Sequence, residues 1–208
     1  MLVYCVRHGE SRYNAEGRIQ GQSDVPLSDL GRRQGEAVAA ALAELPIEAI
    51  YVSPLRRALQ TAEPLAKALR LEIQTDPRLK EVHAGEFQDR LRSEIEREHP
   101  EVMARWRSGD PDFGLPGGET RRNLMRRGEE VFDEIRRADC QQVVVVAHGG
   151  LLVAALKALL EIPAHRHPFV LHNGSISQLE FADGLVRLLS LNHTDHLRDV
   201  GFGGRGDL

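Results

Sequence analysis

Lysine is nearly missing from this chain. Of its 27 basic residues, only Lys67, Lys80 and Lys157 are lysines. The rest are arginines, so any anion site here has planar Arg forks to draw on. Cysteine is scarce as well, with Cys5 and Cys140 alone. That excludes a disulfide-stapled scaffold, and both are expected to be free thiols. If the two runs that precede the histidines discussed below pair level, Cys5 faces Val145. Cys140 then lies about 17 Å further back, at about 3.3 Å per residue. No apolar run is long enough to span a bilayer, so no membrane partner is expected. No basic leader precedes an apolar stretch, because Arg7 interrupts it. A signal peptide is therefore not expected, and cytoplasmic placement is the default. Positive charge is not in excess: the net charge of −4 argues against a nucleic-acid partner. Internal repeats and linkers are missing too.

What is present is the makeup of one ordinary globular domain with its own core. Residues 2–6, Leu-Val-Tyr-Cys-Val, read as a buried strand. They deliver Arg7-His8-Gly9-Glu10 to the carboxyl end, where open α/β sheets bind ligands. Residues 143–147 repeat the pattern and deliver His148-Gly149-Gly150. Charged and imidazole groups are expensive at such positions. Two strand ends lying side by side and binding an anion would account for both.

The rest of the chain alternates between helical and strand periodicity. Residues 11–24 form a polar, Gly-rich loop. Ser28 caps a helix that Pro46 stops, with Asp29 in its first turn. Residues 47–52 are a strand. Ser53-Pro54 opens the next helix, which runs to about residue 70 with Pro at its first position and a kink at Pro64. Residues 71–75 form a short strand. Residues 90–99 and 101–108 read as short helices divided by Pro100. Thr120 caps an amphipathic helix to about residue 137, and residues 150–161 form an apolar one. Residues 174–181 and 185–191 make a hairpin about Asp183-Gly184. The expectation is an α/β three-layer sandwich, with a mostly parallel central sheet and helices on both faces. A single domain spans residues 1–200. Residues 81–120 form a helical insertion over the active site, and residues 201–208 a flexible tail.

A histidine at a strand end, taken alone, is more often a satisfied structural residue. Arg7 beside His8, and His148 in the equivalent place, weigh against that. Arg7-His8-Gly9-Glu10-Ser11 with Asn14 resembles the signature of the histidine phosphatase superfamily, the phosphoglycerate-mutase-like proteins. Further blocks agree in order. They are Gly17-Arg18-Ile19-Gln20-Gly21, Ser53-Pro54-Leu55-Arg56-Arg57-Ala58, Leu79-Lys80-Glu81-Val82-His83, Ala147-His148-Gly149-Gly150 and Asn192-His193-Thr194-Asp195-His196. Together they span nearly the whole chain.

The resemblance implies that His8 is the nucleophile, forming a phosphohistidine. Arg7, Arg57 and His148 would stabilise the transferring phosphoryl group without a metal or other cofactor. A planar Arg fork pairs with two phosphate oxygens. Asn14, Gln20 and the backbone amides of Gly21 and Gly149 would complete a substrate-binding pocket. Gly9 would let the backbone pass close to it. Position in the block selects Arg57 over Arg56. The two diverge by about 100° on a helix, leaving Arg56 as a solvated charge. Glu81 would be the general acid, its proton favoured by the nearby anionic phosphate. Glu86 is a rival. His83, His99, His165, His167, His172 and His193 have no metal-ligand spacing and read as surface or structural.

The resemblance is to the small phosphatase branch. The Tyr and the basic pair of the true mutases are missing after His83-Ala84-Gly85-Glu86-Phe87. Pro116-Gly117-Gly118-Glu119-Thr120 is similar to that branch's Pro-Gly-Gly-Glu-Ser. The implied function is hydrolysis of a small phosphorylated metabolite. A 2,3-bisphosphoglycerate-dependent mutase is the alternative, and a non-catalytic phospho-ligand module a further one. Specificity is expected to lie between Glu81 and Thr120, with Arg105, Trp106 and Arg107 as candidates for the entrance. Relatives in this branch commonly dimerise, so a homodimer is a further expectation.

Overall fold

The computed structural model describes residues 1–203. Its centre is the pair expected from the two histidine-bearing runs. β1 (Leu2–Arg7) lies parallel to β4 (Gln142–Ala147), with Cys5 opposite Val145 and Arg7 opposite Ala147. β2 (Ala49–Val52) pairs with β4 and β3 (Ile73–Thr75) with β2, both parallel. On the other side of β1, β5 (Ile176–Ala182) and β6 (Leu185–His193) add an antiparallel hairpin. The order is β3-β2-β4-β1-β5-β6, a mixed sheet that is parallel through its middle.

Alternation along the central strands divides the core in two, because successive side chains point to opposite faces. Val3, Cys5, Val143 and Val145 pack with α6 (Arg121–Ile135) and α7 (Gly149–Leu159), through Phe132, Leu151 and Ala155. Tyr4, Val6, Val144 and Val146 pack with α2 (Asp29–Leu42) and α3 (Arg56–Leu69), through Val38, Ala62 and Leu65. Each fully buried apolar side chain contributes about 1.5–3 kcal/mol. These two stacks make the expected three layers. Cys5 and Cys140 are both free thiols.

Local chemistry explains the departures from expectation. The polar loop after β1 contains a short helix, α1 (Arg12–Glu16), which Ser11 and Asn14 close with a reciprocal capping box. Ser28 caps α2 as expected by accepting from the Gly31 N–H, but the helix ends at Leu42. α3 begins at Arg56 rather than at Pro54. Its first amides are held from outside: Arg56 N–H donates to Asp24 Oδ1 at 2.7 Å and Leu55 N–H to Ser53 Oγ at 3.3 Å. The helix runs through Pro64. Thr120 caps α6, and α4 (Arg92–Glu98) and α5 (Pro100–Ser108) form the insertion. After β6 the chain returns to α2. Gly201 O accepts from Gln34 Nε2 at 3.0 Å, and the Phe202 ring lies 6.1 Å from that of His172. The tail expectation for residues 204–208 lies outside the described residues.

Candidate active site

The parallel register of β1 and β4 places His8 and His148 at neighbouring strand ends. His8 N–H donates to Ala147 O at 2.9 Å, and the imidazole centroids are 5.0 Å apart. Arg57, from the first turn of α3, fills the space beside both rings. Its Nε lies 3.3 Å from His8 Nε2 and 3.2 Å from His148 Nδ1.

This arrangement fixes the tautomers. A guanidinium N–H can only donate, so His8 Nε2 and His148 Nδ1 present lone pairs. His8 Nδ1 therefore carries the proton and donates to Gly9 O at 2.6 Å. His148 Nε2 carries the other and donates to Ser53 Oγ at 2.7 Å. Burial, Arg57 and Arg7 together push the His8 imidazole well below its ordinary range. Burial and then Arg57 do the same to His148. Both rings are neutral near pH 7, and His8 Nε2 is a ready nucleophile.

The Arg57 side chain departs from one expectation. Its fork is turned onto the loop, with Nη1 donating to Ser23 O and Nη2 to Gly21 O, each at 2.8 Å. A fully buried guanidinium needs acceptors for its donors, and these carbonyls supply them. Arg56 points away and pairs with Asp24 at 3.4 Å, half-exposed as expected. Arg7 Nη1 donates to the Leu171 carbonyl. Thr61 ties helix to nucleophile loop, accepting from Gly9 N–H and donating to Arg57 O.

Gly9 serves a different purpose from the one expected. A Cβ there would run into the Gly31 carbonyl, and one on Gly31 into the Glu10 carbonyl. The missing side chains let the nucleophile loop rest directly on α2, rather than admit a ligand.

Glu81 is buried and seated on the start of α7. Oε1 accepts from the Leu151 and Val82 amides at 2.9 and 2.8 Å, and Oε2 from Gly150 at 2.9 Å. A Cβ on Gly150 would stand 2.5 Å from Oε1, so glycine is what admits the carboxylate. Glu86, the rival, is exposed and does not line the cavity described below. Arg127 of α6, not singled out from the sequence, grips the irregular segment that carries Glu81. Its Nη2 donates to Glu81 O at 2.9 Å and its Nη1 to Arg78 O at 2.7 Å, while Glu119 pairs with it at 2.8 Å.

A cavity of about 550 Å³ opens from this centre. Arg7, Gln20, Gly21, Glu81 and Gly149 line its inner end. Gln20 Oε1 accepts from Ser11 Oγ at 2.6 Å, and Gly149 opens α7. Asn14 sits deeper. Its Oδ1 accepts from Ser11 N–H at 3.1 Å and from Asn173 Nδ2 at 3.2 Å, and that same Nδ2 donates to His8 O at 3.1 Å. Asn173 was missed because nothing in its local sequence marks it; only the fold brings it to β1.

The outer wall is broader than the insertion. Arg92, Trp106 and Arg107 line it as expected of residues 81–120, but so do Arg121, Lys157, His167 and Phe169. His167 and His172, read as surface or structural, also line the cavity. Arg105 does not line it; that side chain pairs with Asp110. No group of three or more metal-ligating side chains occurs among the described residues.

Comparison with known proteins agrees with this geometry. The family model of the histidine phosphatase superfamily (branch 1) matches residues 3–194. A glucosyl-3-phosphoglycerate phosphatase from Mycolicibacterium vanbaalenii is 37% identical, covering 86% of this chain and 83% of that protein. A probable phosphoglycerate mutase from Proteus mirabilis is 34% identical across 96% of both. The solved structure of a mycobacterial glucosyl-3-phosphoglycerate phosphatase in complex with VO3 superposes with a TM-score of 0.86. It is 34% identical, over 92% of this chain and 98% of that one. On sequence and on fold, the chain belongs to the histidine phosphatase superfamily, branch 1.

Proposed function

We propose that this phosphatase cleaves a small phosphomonoester in two steps, through a phosphohistidine on His8. The observation that carries the reading is the lone pair at His8 Nε2, set by the Nδ1–H bond to Gly9 O and flanked by Arg57. In the first step Nε2 attacks phosphorus and the ester P–O bond breaks. Protonated Glu81 gives its proton to the departing alcohol oxygen. In the second step the Glu81 carboxylate takes a proton from water, whose oxygen attacks the same phosphorus. The N–P bond breaks, its electron pair returns to Nε2, and inorganic phosphate leaves.

The residues of this chain supply charge and position throughout. Arg7 and Arg57 offset the spread negative charge of the phosphoryl group. The Gly149 amide, at the start of α7, adds the positive end of a helix dipole. His148 shares the single Arg57 Nε–H with His8 and so holds the guanidinium between the rings. Gln20, Gly21 and Asn14 complete the assigned phosphate pocket. Cytoplasmic placement belongs to the same reading, in keeping with two free thiols and with no helix among the described residues long and apolar enough to cross a membrane.

Glucosyl-3-phosphoglycerate, named for two of the relatives, is the first substrate to test. Phosphate release with EDTA present, together with acid-labile phosphate trapped on His8, is the expected result. His8→Ala should abolish both. Unchanged phosphate release by that variant would overturn the mechanism. The relative named a probable mutase supports a second reading, in which the phosphoryl group returns to substrate. Ready interconversion of 2- and 3-phosphoglycerate would favour it.

A further inference from the structure

At the end of the cavity away from His8, two of the lining cations, Lys157 and Arg121, have no carboxylate partner among the described residues. Lys157 of α7 is only 3% exposed, and its ammonium has one hydrogen bond, to Ala164 O at 2.8 Å. Arg121, the first residue of α6, lies with its guanidinium 4.0 Å over the Trp106 ring and donates to the Trp106 carbonyl. Among the described residues neither cation has an ion-pair partner, although most arginines on this protein's surface do. Two N–H donors at the same place are buried with no acceptor among the described residues, Arg121 Nε and Trp106 Nε1. His167 lines the wall beside them.

Such a grouping is costly unless something negative completes it. A buried polar donor without a partner costs about 1–3 kcal/mol. Two like charges brought together out of water cost more, and an unpaired buried cation most of all. The strain is visible in both groups. Burial and the neighbouring Arg121 pull the Lys157 ammonium down to about 8, and burial pulls Arg121 itself to about 10. Among the described residues the one carboxylate lining the cavity is Glu81, at the opposite end and already held by α7 amides. Between the two ends the wall is apolar, with Leu124, Val153 and Phe169. In a protein of net charge −4, this local excess of positive charge is not a reflection of overall composition.

We infer that Arg121, Lys157 and the Trp106 indole N–H form a second anion subsite, which binds a further negatively charged group on the substrate while its phosphate sits at His8. The substrate class is then a phosphomonoester with a second anion, a carboxylate or a second phosphate, separated from the first by a short carbon frame. The inference rests on the phosphatase reading for its inner end only. At the outer end, an anionic oxygen accepts from Lys157 Nζ, Arg121 Nε and Trp106 Nε1.

The test uses matched compounds of one chain length: butyl phosphate, 4-phosphonooxybutanoate and butane-1,4-diyl bisphosphate. Wild-type kcat/KM should favour the two doubly anionic compounds over butyl phosphate by at least about tenfold, the magnitude of one charge-assisted hydrogen bond. Comparison of the acid with the bisphosphate tells which anion the subsite prefers. Lys157→Met and Arg121→Gln should each bring the ratio close to one, while Lys157→Arg should keep most of it. In parallel, calorimetry with the non-hydrolysable phosphonate analogues reads the subsite without turnover. There the acid should bind more tightly than its neutral counterpart, and Lys157→Met should erase the difference. No preference in the wild type by either method, or a preference that survives both substitutions, overturns the inference. If the analogues show the preference but no ester is hydrolysed, the subsite stands and the phosphatase mechanism fails.

Discussion

Ser53 Oγ lies 2.7 Å from His148 Nε2 and accepts a hydrogen bond from the N–H that Arg57 forces onto that nitrogen. Ser53→Ala removes the acceptor and leaves a buried N–H without a partner, which costs about 1–3 kcal/mol. The ring can then turn and Arg57 loses its second anchor. A fall in kcat of roughly tenfold is expected, at a similar KM, since 1.4 kcal/mol is a tenfold change. Steady-state kinetics on a saturable substrate check this. Wild-type kcat in the variant would show that the bond has no part in turnover.

Arg127 touches no substrate-facing atom of Glu81, yet it donates to that residue's carbonyl and to those of Arg78 and Lys80. It is a positioning residue for the proposed general acid. Arg127→Met should reduce turnover of an alkyl phosphate, whose leaving oxygen needs a proton, far more than that of 4-nitrophenyl phosphate, whose leaving group does not. General acid catalysis is typically worth about 10²–10⁴-fold, which bounds the effect. Equal losses on both substrates would mean that Arg127 matters only for folding.

Gly150→Ala places a methyl group 2.5 Å from Glu81 Oε1. The backbone there is helical and tolerates alanine, so the fold should persist while the carboxylate is displaced. Circular dichroism and the melting temperature should be close to wild type, with activity on alkyl phosphates falling at least roughly tenfold, as Glu81 loses its place in proton transfer. A variant of unchanged activity would show that Glu81 need not sit on α7.

The buried imidazoles set the acid limit of stability. His8 and His148 are held well below 6.5 in the folded protein, whereas the unfolded chain takes up protons as pH falls through 6.5. Folding then forfeits those protons, so stability declines between pH 6.5 and 5.5 and these groups contribute nothing above that window. Chemical denaturation at pH 7.5, 6.5 and 5.5 should show the midpoint steady over the first step and lower over the second. A midpoint that rises toward pH 5.5 would contradict neutral, buried histidines.

Much of the layout could be read from the sequence because its signals are local. Two apolar runs ending in histidine sufficed for the central pair and for its register at Cys5 and Val145. Side-chain caps at Ser28 and Thr120 marked two helices that the structure contains. The start of α3 was misplaced because its cap, Asp24, lies more than thirty residues away in the chain. The same limit applies at the site. His8, Arg57, Glu81 and His148 sit in recognisable blocks, and the fold brings Arg57 against both imidazoles and seats Glu81 on the start of α7. Asn173, Arg127 and Lys157 carry no local mark. Each acquires its place only when α6, α7 and the segment before β5 pack together. The fork of Arg57 was assigned to phosphate because its chemistry permits it. The structure turns it to Ser23 and Gly21 because full burial demands acceptors.

The nucleophile and its companion histidine stand 140 positions apart in the chain, and only the β1–β4 register makes them neighbours. Catalytic competence is therefore a readout of this one long-range pairing. A molecule that has formed its helices but not zipped this pair has no active site at all. Loss of turnover in denaturant should coincide with global unfolding, with no inactive but otherwise native species preceding it, and regain of activity should lag the return of helical signal during refolding.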